Sequence, residues 1–278
     1  MTALSLGYSP CPNDTFIFYA LVNKKIDTLG LIFREILDDV ETLNHMAVNS
    51  GLDVTKASFH AFGHLREQYC LLRSGGAIGK GCGPLVVSRE DIDITDLAGK
   101  KIAIPGELTT AFLLLQIFNP SLKQNVIVMP FNNIMESVKT GDVDAGLIIH
   151  ESRFTYKKYG LKQLIDLGRW WEEETGLPIP LGGILAKRSL GWNLIKKIDR
   201  LLKKSIEYAF SNRPETKSYI KKYSQEIEDE VIEQHINLYV NDYSIDIGDD
   251  GIQAVKELLE RAEGEGIIGK SSTSLLTL

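Results

Sequence analysis

Leu4-Ser-Leu-Gly-Tyr8 running into Ser9-Pro-Cys-Pro-Asn-Asp-Thr15, and Lys101-Ile-Ala-Ile-Pro105 running into Gly106-Glu-Leu-Thr-Thr110, are two versions of one pattern. In each, a short apolar run reads as a strand, a Pro/Gly-rich turn stops it, and an amphipathic segment reads as a helix. The echo continues. Gly51-Leu-Asp53 precedes the run 54–57, and Gly141-Asp-Val-Asp144 precedes the run 145–149, so Ser58 and His150 stand at equivalent strand ends. Such duplicated strand-turn-helix units favour an α/β fold of two lobes, whose strand C-termini face a shared crevice.

Periodicity along the rest of the chain predicts strands at 4–8, 31–37, 54–57, 84–88, 101–105, 126–129, 145–149 and 183–187, with largely parallel pairing. Helices are expected at 15–22, 40–47, 109–118, 134–140 and through most of 194–263. The extended stretches 83–88 and 179–186 read as the two strands that cross between lobes. The first lobe is then discontinuous, 1–88 plus 186–278, and the second is 89–185.

The 278 residues hold 31 Lys and Arg against 37 Asp and Glu, a net charge of −6, with 44% hydrophobic and 24% charged residues, which is ordinary globular composition. Dispersed basic residues argue against a nucleic-acid footprint. The apolar runs 16–22 and 111–118 fall far short of the roughly 18 residues needed to span a bilayer, so no membrane insertion is expected. No Lys or Arg precedes Lys24, and Pro10, Pro12, Asn13 and Asp14 interrupt the early apolar stretch, so no secretory signal is expected, a mature start at Met1 follows, and the location reads as cytoplasmic. Cys11, Cys70 and Cys82 lack any C-x-x-C spacing, and no Glu follows His60 in the His60/His64 pair, so neither disulfide nor metal is expected.

Few residues are placed for chemistry. Thr109 and Thr110 open a helix, where hydroxyls and free amides can cradle an anion or simply cap the helix. The same ambiguity, with capping favoured, holds for Ser9, Asn13 and Thr15. Ser58 can bond a ligand while Lys56 supplies charge, or it can cap the next helix while Lys56 faces solvent. No G-x-S-x-G elbow makes Ser58 a nucleophile. His150 ends the apolar run Gly146-Leu-Ile-Ile-His150, where an imidazole can act as a general base or serve as a hydrogen-bonded structural residue. Trp170 and Trp171 read as packing residues of which at most one faces the cleft. The run 226–230 reads as a solvated helical face.

The segments Ser9-Pro-Cys-Pro-Asn-Asp-Thr-Phe16, Lys56-Ala-Ser58, Gly106-Glu-Leu-Thr-Thr110 and Leu147-Ile-Ile-His-Glu-Ser-Arg-Phe-Thr-Tyr156 resemble the 1,4-dihydroxy-6-naphthoate synthase family of menaquinone biosynthesis by the futalosine route. The resemblance spans nearly the whole chain and implies a type II periplasmic-binding-protein-like fold with a ligand cleft between lobes. It implies a lyase without metal or nucleotide cofactor that converts cyclic dehypoxanthine futalosine to 1,4-dihydroxy-6-naphthoate. His150 would be the proton acceptor. Lys56, Ala57, Ser58, Thr109, Thr110 and Ala111 would bind substrate, a small anionic molecule whose carboxylate the Thr pair would anchor. A homodimer is left open. The alternatives are a non-catalytic solute-binding protein of the same fold and the related chorismate dehydratase.

Overall fold

The computed structural model describes residues 2–224 and 228–276. The chain runs β1 (Thr2–Tyr8), α1 (Pro12–Val22), β2 (Leu31–Leu37), α2 (Val40–Val48), β3 (Val54–Ser58), α3 (Phe59–Leu65), β4 (Tyr69–Leu71) and β5 (Ala77–Gly79). It continues through β6 (Leu85–Ser88), β7 (Ile102–Ile104), α4 (Thr110–Phe118), β8 (Val126–Val128), α5 (Phe131–Thr140), β9 (Ala145–Ile148), α6 (Ser152–Thr155), β10 (Lys162–Asp166) and α7 (Leu167–Thr175). β11 (Ile179–Lys187) then leads to α8 (Trp192–Ser211), α9 (Arg213–Tyr223), α10 (Asp229–Tyr239), α11 (Asp242–Ile245) and α12 (Gly248–Gly264). Of the acidic run 226–230, residues 226 and 227 lie outside the described residues.

Two sheets form. One has the order β2-β1-β3-β11-β4, with β5 also on β11; the other has the order β10-β6-β9-β7-β8. Read from its first strand, each sheet places strands one, two and three as 2-1-3 and adds a strand from elsewhere in the chain beside the third. The sequence echo therefore corresponds to a repeated topology. The expectation of largely parallel pairing needs correction: β1–β2, β1–β3, β7–β8 and β7–β9 are parallel, whereas every pairing of β6 and β11 is antiparallel. The parallel pairs come from strand-helix-strand units, and β6 and β11 enter their sheets from the other lobe, running the opposite way.

The expected crossing strands also need correction. β6 lies wholly in the second sheet and β11 wholly in the first. The chain passes between sheets at 80–84 and returns through α7 and the turn after it. At the first passage Gly83 meets Gly168 so closely that a Cβ on Gly83 would lie 2.2 Å from Gly168 Cα, so neither position admits a side chain. Trp171 is fully buried with its indole N–H on Pro178 O at 3.1 Å, and Trp170 packs edge-on against Phe118.

α1 carries Phe-Ile-Phe-Tyr-Ala-Leu in sequence and is buried on nearly every side, as a helix that is apolar all round must be. It rests on α8, α9 and α10, which is why its first turn is held rigidly at the crevice. Removing one of its rings, as in Phe18→Ala, would cost about 3–5 kcal/mol. Among the described residues, no helix is long and apolar enough to cross a membrane.

Candidate active site

The motif around Ser9 builds one wall. Pro12 starts α1, where its missing N–H costs nothing, and Asp14 follows in the first turn. Asp14 Oδ2 accepts from Ser9 N and Ser9 Oγ, and its Oδ1 accepts from Asn13 Nδ2 at 2.8 Å and Lys56 Nζ at 3.0 Å. Lys56 is buried within β3, so this carboxylate offsets a charge that would otherwise be too costly to bury. The capping roles expected for Ser9, Asn13 and Thr15 do not occur. Cys11 takes the N-cap position without a side-chain bond, Thr15 bonds back to Cys11 O, and Asn13 reaches His235.

The opposite wall is the start of α4. Thr109 is its N-cap, accepting from Phe112 N at 3.2 Å and donating to Gly106 O at 2.8 Å. Thr110 Oγ1 accepts from Phe59 N at 2.8 Å and donates to Leu181 O at 2.5 Å. The hydroxyl of Thr110 thus caps α3 of the other lobe. Ser58 stands at the N-cap position of α3 but makes no side-chain cap bond; its amide donates to Asn44 Oδ1 and its hydroxyl accepts from Asn44 Nδ2. Both Thr hydroxyls are occupied within the protein. What remains for an anion is the pair of first-turn amides, Thr110 and Ala111, which have no intrahelical acceptor.

His150 follows β9 with φ of +55°, a left-handed turn that a non-glycine residue adopts at a cost of about 1–2 kcal/mol. Arg153 fixes this turn by donating to Gly83 O and to Asp166 Oδ2. The imidazole sits 5.0 Å from the Phe131 ring and 6.1 Å from the His235 ring, parallel to the latter within 9°. Burial pushes its pKa down to about 4, with Asp14 and Asp39 opposing the shift and Lys56 adding to it. At neutral pH His150 is therefore a neutral proton acceptor.

All these elements converge. A cavity enclosing about 660 Å³, open mouth included, is lined by Lys56, Ala57, Ser58, Thr109, Thr110, Ala111 and His150, the seven residues singled out from sequence. Asn13, Asp14, Leu181, Gly182 and Tyr239 are among its other walls. A wider hollow of about 1340 Å³ adjoins it at Val40, Ile149 and His150 and carries Asp38, Asp39, Glu41 and Glu151. Its acidic rim repels an anion, so an anionic group belongs in the inner cavity beside Lys56 and the α4 amides.

His235, Glu151 and Tyr239 were not singled out from sequence. The apolar set Val231, Ile232, Ile236 and Tyr239 with His235 between them does mark a buried helix face, but nothing local says that the face meets α1. Among the described residues, one trio brings metal-type donor atoms within 4.8 Å of one another: Cys11, His150 and Glu151. It makes a poor metal centre, because burial, aided by Glu151 and Asp14, holds the Cys11 thiol well above its usual range, in the protonated form that does not ligate. His60 and His64 share no such group; His60 is buried and His64 exposed on α3.

The model of a family described as menaquinone biosynthesis matches residues 4–264. A curated relative from Thermus thermophilus, described as "1,4-dihydroxy-6-naphtoate synthase", is 46% identical over 275 residues and covers 99% of each chain. Among solved structures, a protein of Archaeoglobus fulgidus superposes with a TM-score of 0.90 at 38% identity, covering 96% of this chain and 98% of its own. A Candida albicans protein described as having the generic periplasmic binding protein fold superposes with a TM-score of 0.73 at 15% identity, covering 100% and 98%, which bears on the fold alone. The solved neighbours agree with the two-lobed architecture, and the family match and the full-length relative give its kinship: this chain belongs to the menaquinone-biosynthesis family and resembles its 1,4-dihydroxy-6-naphthoate synthases.

Proposed function

We propose that this protein is a lyase that converts cyclic dehypoxanthine futalosine to 1,4-dihydroxy-6-naphthoate, with His150 as the general base. The observation that carries the reading is the neutral imidazole of His150, held by a left-handed turn where the two hollows meet. Lys56, Ala57 and Ser58 bind substrate from a first lobe, 1–88 plus 186–278, and Thr109, Thr110 and Ala111 from a second, 89–185. The substrate carboxylate lies against the Thr110 and Ala111 amides, with Lys56 supplying the opposite charge.

Little further equipment is required. Removal of one proton starts cleavage of the sugar-derived fragment, and formation of an aromatic ring supplies the driving force, so the reading needs no metal or nucleotide. An imidazole with a pKa near 4 is a weak base. An anionic substrate beside it raises that value toward the working range, which ties base strength to occupancy of the cleft. The reading places the protein in the cytoplasm, acting on a small anionic metabolite.

The test is incubation with cyclic dehypoxanthine futalosine, with the aromatic product followed by absorbance and mass. His150→Ala should lose on the order of a hundredfold or more in kcat while its circular dichroism stays that of the wild type. Binding without turnover by the wild type would replace this reading with a solute-binding role, and full activity in the variant would place the base elsewhere.

A further inference from the structure

Tyr239 ends α10 on the wall of the inner cavity, and that end of the helix is pinned. Asn241 Nδ2 donates to Ile78 O at 2.9 Å and Ser244 Oγ donates to Gly76 O at 2.9 Å, which ties the turn after α10 to β5 and the residue before it. The ring packs 4.7 Å from that of His235. The residue is only 9% exposed. A phenol buried to this degree ordinarily finds a partner, as Tyr8 does on Glu35 and Tyr69 does on Leu52 O at 2.7 Å. The Tyr239 hydroxyl has none among the described residues, yet its oxygen is not sealed within protein either. It therefore opens into the cavity that the residue lines.

Neighbouring polar groups of the cavity are already engaged. The Thr109 and Thr110 hydroxyls donate to backbone carbonyls, and the Asp14 carboxylate accepts from Ser9, Asn13 and Lys56. Burial, with Cys82 adding and Arg153 opposing, pushes the Tyr239 pKa well up, so the group is a neutral phenol that keeps a proton to donate. A rigid donor left unmet at the wall of a binding cavity selects for a ligand oxygen that meets it.

We propose that Tyr239 donates a hydrogen bond to a ring oxygen of the substrate, one of the two that the product carries as hydroxyls, and stabilises the charge that gathers there as His150 removes a proton. This role rests on the reaction proposed above. 1,4-Dihydroxy-6-naphthoate has its carboxylate on one ring and both hydroxyls on the other, so a molecule whose carboxylate lies against the α4 amides extends its oxygen-bearing ring away from them. Tyr239 offers its donor from a different wall, that of α10. When His150 takes a proton from a ring carbon, the electron pair left behind spreads onto the oxygen conjugated with that carbon. Tyr239 keeps its own proton throughout and tightens its bond to that oxygen as the charge grows.

Two measurements on the full chain decide the proposal, and both compare the wild type with Tyr239→Phe. The variant loses no bond within the protein, so its Tm should equal or exceed that of the wild type. In oxygen-free titrations, Tyr239→Phe should bind 1,4-dihydroxy-6-naphthoate about tenfold more weakly than the wild type does, and 2-naphthoate, which has the same rings and carboxylate without the hydroxyls, equally well. Equal weakening for both ligands, or none for either, overturns the contact. In turnover of cyclic dehypoxanthine futalosine, kcat of the variant should fall on the order of a hundredfold. Wild-type kcat in the variant overturns the charge-stabilising role. If the wild type turns over no cyclic dehypoxanthine futalosine while the two ligands still separate the variants, the reaction assignment fails and the contact stands; a wild type that binds neither ligand overturns both.

Discussion

Lys24, Leu29, Ser50 and His150 are the non-glycine residues with positive φ among those described, and the first three stand on exposed turns. His150 alone carries such strain into the cleft, where Arg153 and the packed turn hold it. Its neutrality has a cost at low pH that it shares with His60, which burial, with His64 adding, also pushes down to about 4. In the unfolded chain both titrate near 6.5. Between those values the unfolded state binds more protons than the folded one, so stability is complete above about pH 6.5 and is lost as pH falls toward 4. The buried His60 alone accounts for about 3 kcal/mol of that loss. Thermal melts between pH 7 and 4 should therefore show Tm falling in that window, and His60→Leu should flatten the slope. An unchanged slope in the variant would show that His60 is not the group responsible.

Across elements, the decisive contact is the cap that α4 lends to α3. Thr110→Val keeps the shape but leaves Phe59 N and His60 N without their acceptor and Leu181 O without its donor. The loss should be about 1–3 kcal/mol, read as a lower Tm, together with a raised KM because the α4 amides lose their seat. A variant with wild-type Tm would mean that water replaces the hydroxyl at no cost. This contact also marks where sequence stops informing. Thr109 as a cap is a local signal, a Thr three residues before the amide it accepts from, and the strand-turn-helix units follow from period and punctuation. The partners of Thr110 lie 50, 51 and 71 residues away, and His235 lies 222 residues from Asn13, so no local pattern announces them. β4 and β5 have three residues each, too few for an alternation to register, and the Lys162–Asp166 strand is an exposed edge with no buried face to mark it. Antiparallel pairing of β6 and β11 depends on where the chain changes lobe, which is a property of the whole path.

For the whole molecule, the question is how substrate enters a cleft whose lobes already touch. Glu41 and Asn44 of α2 hold the loop before α4 by accepting from Leu108 N at 2.9 Å and donating to Leu108 O at 3.3 Å, while Thr110 holds Phe59 and Leu181. Gly106 permits this approach, since a Cβ there would stand 2.3 Å from Glu41 Cδ. Gly106→Ala must push the Glu41 carboxylate aside and break its bond to Leu108, so it should raise KM and loosen the join without touching His150. Parting here breaks these bonds and also uncovers buried side chains where α4 packs on α3, α12 and β11, while the strand pairings within each sheet stay intact, so the opening is confined to this join. Hydrogen exchange should then show the amides of Phe59, His60 and Leu108 exchanging well before those of β1, and saturating 1,4-dihydroxy-6-naphthoate should slow those three while leaving β1 unchanged. Gly106→Ala should speed the same three in the free protein. Equal protection with and without saturating ligand would mean that the join does not open for binding, and that substrate instead reaches His150 through the acidic hollow on the far side.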